Sequence, residues 1–494
     1  MTKMRNINEL INERAKMYNE KVFLISPEEG TLTYRDLDIN VKGVMKFLIN
    51  LNIKKGDNIA IFMHNGIDFV KSFLGIISIG AIVIPINIRL RERDIKFLLK
   101  DSETKIVIAD LSINEEMERV AKYLNIKIIN KDEIIKNELD IEEDFNILKD
   151  DVAVILYTSG TTGDPKGVML THNNLITSAK NVIVGHELTE NDVSLCVLPL
   201  YHISAEVLSL ITPLCSGGSV IMPNKFSATN FWEIASKYKA TWVPVVPTIL
   251  AILLAKGLYE KNLDLSNLKF GRSASGPLSI DLNKRFEEIF KIPILETYGL
   301  TESTSQVVTN PRDLSKRKYG SVGIPVGCKL KIIDENGKEV KPFQFGEILI
   351  KGENVTKGYF RNEELTKKFI IDGWLYTGDI GYKDEDGYYY IKGRKNDIIN
   401  KGGMKISPRD VEEVICTHPK VLECACVGVP DSIYYQEVKV FIVLKENVKC
   451  NKEEIINFCK KNLADYKCPK YIEFIGKIPK GTSGKIIRKK LLEL

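Results

Sequence analysis

Residues 157–168 read Tyr157-Thr158-Ser159-Gly160-Thr161-Thr162-Gly163-Asp164-Pro165-Lys166-Gly167-Val168 and follow a largely apolar run at 151–156. Glycines at 160, 163 and 167 let the backbone turn tightly and present its N–H groups. The hydroxyls of Thr158, Ser159, Thr161 and Thr162 add donors, and Lys166 adds a positive charge. Such a loop suits a polyphosphate. It is not the Walker pattern, in which Gly-Lys-Ser/Thr opens a helix directly. A single loop rich in Gly, Ser and Thr is most often a surface turn, but this much order placed just after a buried strand weighs against that. A second lysine with chemical promise, Lys485, follows Gly-Thr-Ser-Gly at 481–484 and opens the basic tail 485–490, where solvated charge is the plain alternative.

These groups need a scaffold to bring them together, and the chain is long enough to build one. Its 494 residues exceed a single ordinary core, so two or three domains are expected. With 44% hydrophobic and 27% charged residues, the composition is that of a globular enzyme. A net charge of +5 from 70 basic and 65 acidic residues shows no single-sign block, so nucleic acid is not implied. The first eight residues lack the apolar core of a signal peptide, and no stretch reaches the roughly 18 apolar residues of a membrane span. A cytoplasmic protein with no integral membrane segment is the expectation. Nine scattered cysteines are expected to be buried, reduced thiols, because Cys424-x-Cys426 has no second ligand pair at zinc spacing.

Leu37, Val41, Val44, Met45 and Leu48 have helical spacing, and strand-like sequence follows at 58–63. The alternation returns as a helix at 69–77, a strand at 81–86 and another strand near 106–109. This predicts an α/β domain with a largely parallel sheet. Polar sequence at 130–151 reads as a surface connection between two such stacked units. From Ser321 short strands with Asx-Gly turns, at 329–338 and 346–352, predict a small β unit over about 321–392. A further α+β segment carries a helix from 407 or 408 to 417, a strand at 438–444 and a helix near 453–462. The division expected is an N-terminal domain, 1–396, and a small C-terminal lid, 397–494, joined near Asp397.

The opening loop resembles the signature loop of the adenylate-forming superfamily, which includes acyl-CoA synthetases, adenylation domains and beetle luciferases. Further family motifs follow in order. They are Leu198-Pro199-Leu200-Tyr201-His202, Glu296-Thr297-Tyr298-Gly299-Leu300-Thr301-Glu302, Tyr376-Thr377-Gly378-Asp379, Gly393-Arg394-Lys395-Asn396-Asp397 and Pro479-Lys480-Gly481-Thr482-Ser483-Gly484-Lys485. Six motifs in order cover nearly the whole chain.

The resemblance implies ATP, Mg²⁺ and CoA as ligands and gives each motif a role. Glu302, with Thr301 beside it, is the expected Mg²⁺ ligand, since Mg²⁺ takes one or two carboxylates plus phosphate oxygens. Elsewhere a surface salt bridge would be its ordinary role. Thr297, Tyr298 and Gly299 form the adenine platform, and Ser275, Gly276 and Pro277 match its other wall, although the family more often has Gly-Ala-Ala-Pro there. Asp379 offers an acceptor pair to the ribose hydroxyls and Arg394 a donor to the sugar or a phosphate. His202 resembles the histidine that contacts the carboxylate substrate, where otherwise a satisfied core histidine would be the better reading. Lys485 resembles the lysine that neutralises charge at the α-phosphate. Asp397 matches the hinge about which the lid swings, bringing Gly402 and Gly403 to the thiol tunnel.

An amino-acid-activating domain would carry Asp just after His202, and Ile203 stands there instead, although Glu206 leaves the exclusion incomplete. The segments 224–232, 272–275 and 309–323 are most similar to the branch holding oxalyl-CoA, crotonobetaine/carnitine-CoA and fatty acyl-CoA ligases. Ser273 and Ser275 would favour a short or polar acid, whereas Ile203, Leu208, Val246 and Ile249 would line an apolar tunnel; both remain open. The function expected is an AMP-forming acid-CoA ligase. The alternative is an enzyme that loads an acyl carrier protein. Either a monomer or a homodimer fits.

Overall fold

The computed structural model describes residues 6–134, 145–158, 165–257, 263–480 and 486–494. Two large mixed sheets organise the N-terminal part. One runs, in spatial order, through Gly358–Tyr359, Lys166–Thr171, Val152–Thr158, Ile82–Pro85, Asn58–Phe62, Ile106–Ala109 and Lys127–Asn130. Its middle strands pair in parallel and read as unbroken apolar runs because both faces are covered; every residue of Asn58–Phe62 is buried. The second sheet has nine strands, with Trp242–Val245, Phe270–Ser273 and Ile294–Leu300 adjacent and parallel.

The helix predicted from Leu37 to Leu48 is Tyr34–Asn50, started by a capping box between Thr33 and Asp36. It buries Leu37, Val41, Val44 and Leu48 in a core that continues through Phe73, Ala179 and Leu210 to Trp242. One apolar cluster thus serves both sheets, and each fully buried Leu, Val or Phe contributes about 1.5–3 kcal/mol to it.

Within 321–392 the chain contributes to three sheets. Lys329–Ile333, Gly346–Lys351, Ile370–Ile371, Trp374–Lys383 and Tyr389–Arg394 make the small β unit. Ile324–Pro325 instead extends the nine-stranded sheet, and Gly358–Tyr359 pairs with Lys166–Thr171. The unit is therefore stitched to both halves.

The C-terminal part has its own five-stranded sheet, with the long hairpin Val421–Asp431 and Tyr435–Leu444 at its centre. Its core of Ile399, Val411, Ile415, Val438, Val440 and Ile455 is separate from the others, as expected of an independent domain. Arg409 bridges to the N-terminal part, its Nη2 3.4 Å from Glu296 Oε1 and donating to Leu278 O. Lys392 and Asp410 add an ion pair of 2.7 Å.

The first large sheet is largely parallel, as expected, and ends in the antiparallel pairings that include the hairpin Val152–Thr158/Lys166–Thr171. Two expectations need correction. The connection at 130–151 is not wholly superficial: Ile134 and Ile147 are buried, and Asn6 Nδ2 donates to Ile147 O at 3.0 Å. Residues 135–144 of it lie outside the described residues. The cysteines are all free of disulfides, but only Cys196, Cys215, Cys424, Cys426 and Cys459 are buried, and Cys416 is exposed. Strand and helix periodicity does not report which end of a helix protrudes. Among the described residues no helix is long and apolar enough to cross a membrane.

Candidate active site

The loop that opened the sequence joins two paired strands, Thr158 and Lys166 being cross-strand partners at its base. Ser159, Gly160, Thr161, Thr162 and Gly163 lie outside the described residues, as does Lys485. Lys166 sits at the first position of its strand, half-buried, with Nζ 6.0 Å from the centre of the Phe369 ring.

Glu302 belongs to a short 3-10 turn, Thr301–Ser303, directly after the strand Ile294–Leu300. The turn is fixed by Ser303, whose hydroxyl accepts from Leu300 N at 2.9 Å. Backbone geometry behind it is tight: Thr304 and Ser305 have φ of 52° and 79°, values that L residues adopt only under strain. A Cβ on Gly299 would lie 1.5 Å from Ser305 O, so only glycine fits in this motif. The Glu302 carboxylate accepts from Tyr359 OH at 3.1 Å and makes no ion pair among the described residues. Its remaining lone pairs fit a hard divalent cation. Tyr359 was not legible as a site residue, because it reaches Glu302 only through the pairing of Gly358–Tyr359 with Lys166–Thr171. Burial and the Glu302 charge raise its hydroxyl pKa, keeping it a donor.

Tyr298, Asp379 and Arg394 come together although they stand on three strands. Tyr298 donates to Asp379 Oδ2 at 2.6 Å, and Arg394 Nε lies 2.9 Å from Asp379 Oδ1. Arg394 Nη1 also donates to Thr377 O at 2.7 Å. Asp379 and Arg394 are cross-strand neighbours, which fixes this pair. Tyr298 is 9% exposed and joins the apolar cluster of Val307, Val308 and Ile348. Burial and Asp379 push its hydroxyl far up. The tyrosine is thus a core residue, and Asp379 has a protein partner on each oxygen.

Thr297 is buried and donates to Ser273 O at 3.4 Å, holding the two candidate walls of the site together. Ser273 itself is fully buried, and its hydroxyl has no partner among the described residues. Ser275 differs: it is exposed with φ 67°, and Gly276 and Pro277 follow it in the same loop. His202 is the N-cap of the short helix Ile203–Glu206 and is half-buried, its ring centre 4.8 Å from that of Tyr201. Ile203 is buried and Val246 partly so. Asn65 anchors this wall by accepting from Leu200 N and donating to Leu198 O, each at 2.9 Å.

Asp397 ends a 3-10 turn, Lys395–Asp397, between the two parts of the chain and lies 3.5 Å from Arg488 Nε. Gly402 and Gly403 occupy the exposed turn between Ile399–Lys401 and Met404–Ile406, with φ of 57° and 87°. Farther out on this domain, His418, Cys450 and Glu454 present ligand atoms within 4.8 Å of one another. Lys420 Nζ already lies 2.8 Å from Glu454 Oε1, and Lys420 N donates to His418 Nδ1, so the lysine supplies the cation there.

The acidic turn at Glu302, the linked set of Tyr298, Asp379 and Arg394, and a small C-terminal domain with its own core fit a nucleotide-activating ligase. Residues 11–360 match the AMP-binding enzyme family and residues 410–485 the AMP-binding enzyme C-terminal domain. The chain is 37% identical to sulfoacetate–CoA ligase of Cupriavidus necator, covering 98% of this chain and 96% of that one. It is 36% identical to oxalate–CoA ligase of Arabidopsis thaliana, covering 97% and 96%. Among solved structures, o-succinylbenzoate CoA synthetase of Bacillus subtilis in complex with the acyl-adenylate intermediate OSB-AMP superposes with a TM-score of 0.90 at 31% identity, covering 99% and 98%. The chain belongs to the AMP-binding enzyme family and is an ATP-dependent, AMP-forming acid–CoA ligase.

Proposed function

We propose that this ligase activates a short carboxylic acid bearing a second anionic group. The observation that carries this reading is a pair of buried hydroxyls, Ser273 and Ser305, that have no partner among the described residues and lie on the strands beside the one that leads to Glu302. Relatives named for sulfoacetate, oxalate and 2-succinylbenzoate support it, since each of those acids carries two acidic groups. An apolar acyl tunnel would leave these hydroxyls unsatisfied even with substrate bound.

The first half-reaction joins the acid's carboxylate oxygen to the α-phosphorus of ATP and releases pyrophosphate. Lys166 and the N–H groups of 158–163 hold the β- and γ-phosphates, and Lys485 meets the charge that develops at the α-phosphate. Tyr298 and Thr297 flank the adenine, while Asp379, oriented by Tyr298 and Arg394, accepts from the ribose. Glu302, with Thr301, would hold Mg²⁺, as supported by a relative solved with ATP and magnesium ion; the cation would supply charge neutralisation of the phosphates. His202, Ile203 and Val246 border the acid.

In the second half-reaction the CoA sulfur attacks the acyl carbon, the thioester forms and AMP leaves. Rotation of 397–494 about Asp397 carries Lys485 away and brings Gly402 and Gly403 to the thiol. Reduced, disulfide-free cysteines support a cytoplasmic setting. Pyrophosphate release from an acid panel, with and without CoA, tests this. Turnover of monocarboxylates but of no dianionic acid sinks the substrate class.

A further inference from the structure

Glu206 closes the short helix that begins beside His202, and its backbone N–H reaches His202 O at 3.3 Å. The two residues therefore stand one helical turn apart. The chain then passes without a break into a π-helical turn, Val207–Ile211, a rare geometry that recurs at functional sites. Glu206 has no solvent exposure, and neither carboxyl oxygen has a hydrogen-bond partner among the described residues. Burial alone holds the carboxyl well above the ordinary carboxylate range, with no basic neighbour to offset it. A carboxyl in its protonated form carries one O–H donor.

For the fold this is a defect. A leucine of similar volume would fill the space without stranding a polar group. Among the described residues the Thr212 hydroxyl, farther along the same run, is also unpartnered, as is that of Ser305, which opens the strand Ser305–Thr309 against which the helix packs. Hydroxyls are neutral O–H donors, and such groups can meet an oxyanion without burying a cation to balance it.

We infer that Glu206 is a specificity-determining residue, whose carboxyl donates a hydrogen bond to the distal anionic group of the bound acid, with Ser305 as a further donor. This rests on the reading that the acid carries a second anionic group. Among the described residues the carboxyl has no partner, and the acid would supply one.

The test compares the full-length enzyme with Glu206→Leu and Glu206→Gln, using sulfoacetate, oxalate, a matched monocarboxylate and a carboxylate bearing a quaternary ammonium. Glu206→Leu should melt at a higher temperature and keep the KM for ATP. It should lose about 10- to 100-fold in kcat/KM on the dianionic acid, the scale of one stranded hydrogen bond, and little on the monocarboxylate. Glu206→Gln, which keeps an N–H donor, should recover part of the loss. Unchanged kcat/KM for the dianionic acid in both variants overturns the assignment of Glu206 alone, as does a loss confined to the quaternary ammonium acid. Absence of wild-type turnover on every dianionic acid overturns the substrate class, and this inference with it.

Discussion

Arg488 and Asp397 form an ion pair, Nε to Oδ2 at 3.5 Å, while the same guanidinium holds Glu412 with Nη1 2.9 Å from Oε1. The residue at the junction of the two domains is thereby tied to the segment that follows Lys485. Glu412 in turn accepts from Cys426 N at 2.8 Å, so the link extends into the strand Val421–Asp431 of the lid's sheet.

Removing Arg488 strands Glu412, which is 8% exposed. Arg488→Ala should destabilise the lid by about 3 kcal/mol, the scale of breaking a largely buried pair. Hydrogen exchange over 397–494 reads this directly, and undiminished protection there would count against the link. Asp397→Ala should slow thioester formation more than pyrophosphate release. Equal slowing of both steps would remove Asp397 from the rotation.

Tyr298 and Asp379 share a hydrogen bond of 2.6 Å between a neutral donor and a charged acceptor. Tyr298→Phe keeps the ring and removes the donor, so the KM for ATP should rise by about tenfold, corresponding to roughly 1.5 kcal/mol. A calorimetric Kd for ATP checks it. An unchanged Kd would mean that Arg394 alone orients Asp379.

Lys485 and Lys166 are assigned different phosphates, and the two half-reactions separate them. Lys485→Ala should reduce adenylation by about 10²- to 10³-fold while leaving conversion of supplied acyl-adenylate to thioester intact. Lys166→Ala should act chiefly on ATP binding. A Lys485→Ala enzyme with normal pyrophosphate release would falsify the assignment.

Two histidines make stability depend on pH. His172 accepts from Ile7 N at 3.3 Å and His186 pairs with Gln306 at 3.0 Å, both fully buried. Burial lowers the first to about 4 and the second to about 3, the latter also by Arg272. The unfolded chain, with values near 6.5, binds these protons more readily than the folded one. Their contribution is therefore complete above about pH 6.5 and is lost as pH falls toward 4 and then 3. It is on the order of 3 kcal/mol for each. Urea midpoints at pH 7.5 and 5 should differ accordingly, and His172→Leu should flatten part of the difference.

Residue types and order along the chain determined the family and the two-part organisation and supplied the candidate site residues, because motifs such as 297–302 write local backbone requirements into residue type. Gly299 is the sharpest example: a strand position with no room for a Cβ is written as glycine. Tertiary structure alone decided what each group touches. Tyr359 reaches Glu302 through a two-residue strand paired with Lys166–Thr171, and Tyr298 meets Asp379 across a packed core. The same holds for the exposure of Cys416 and for the burial of Glu206, whose carboxyl has no partner among the described residues. Periodicity specifies which face of an element is apolar, but partners distant in sequence are set by strand pairing and close packing, where a carboxyl is either met or left alone.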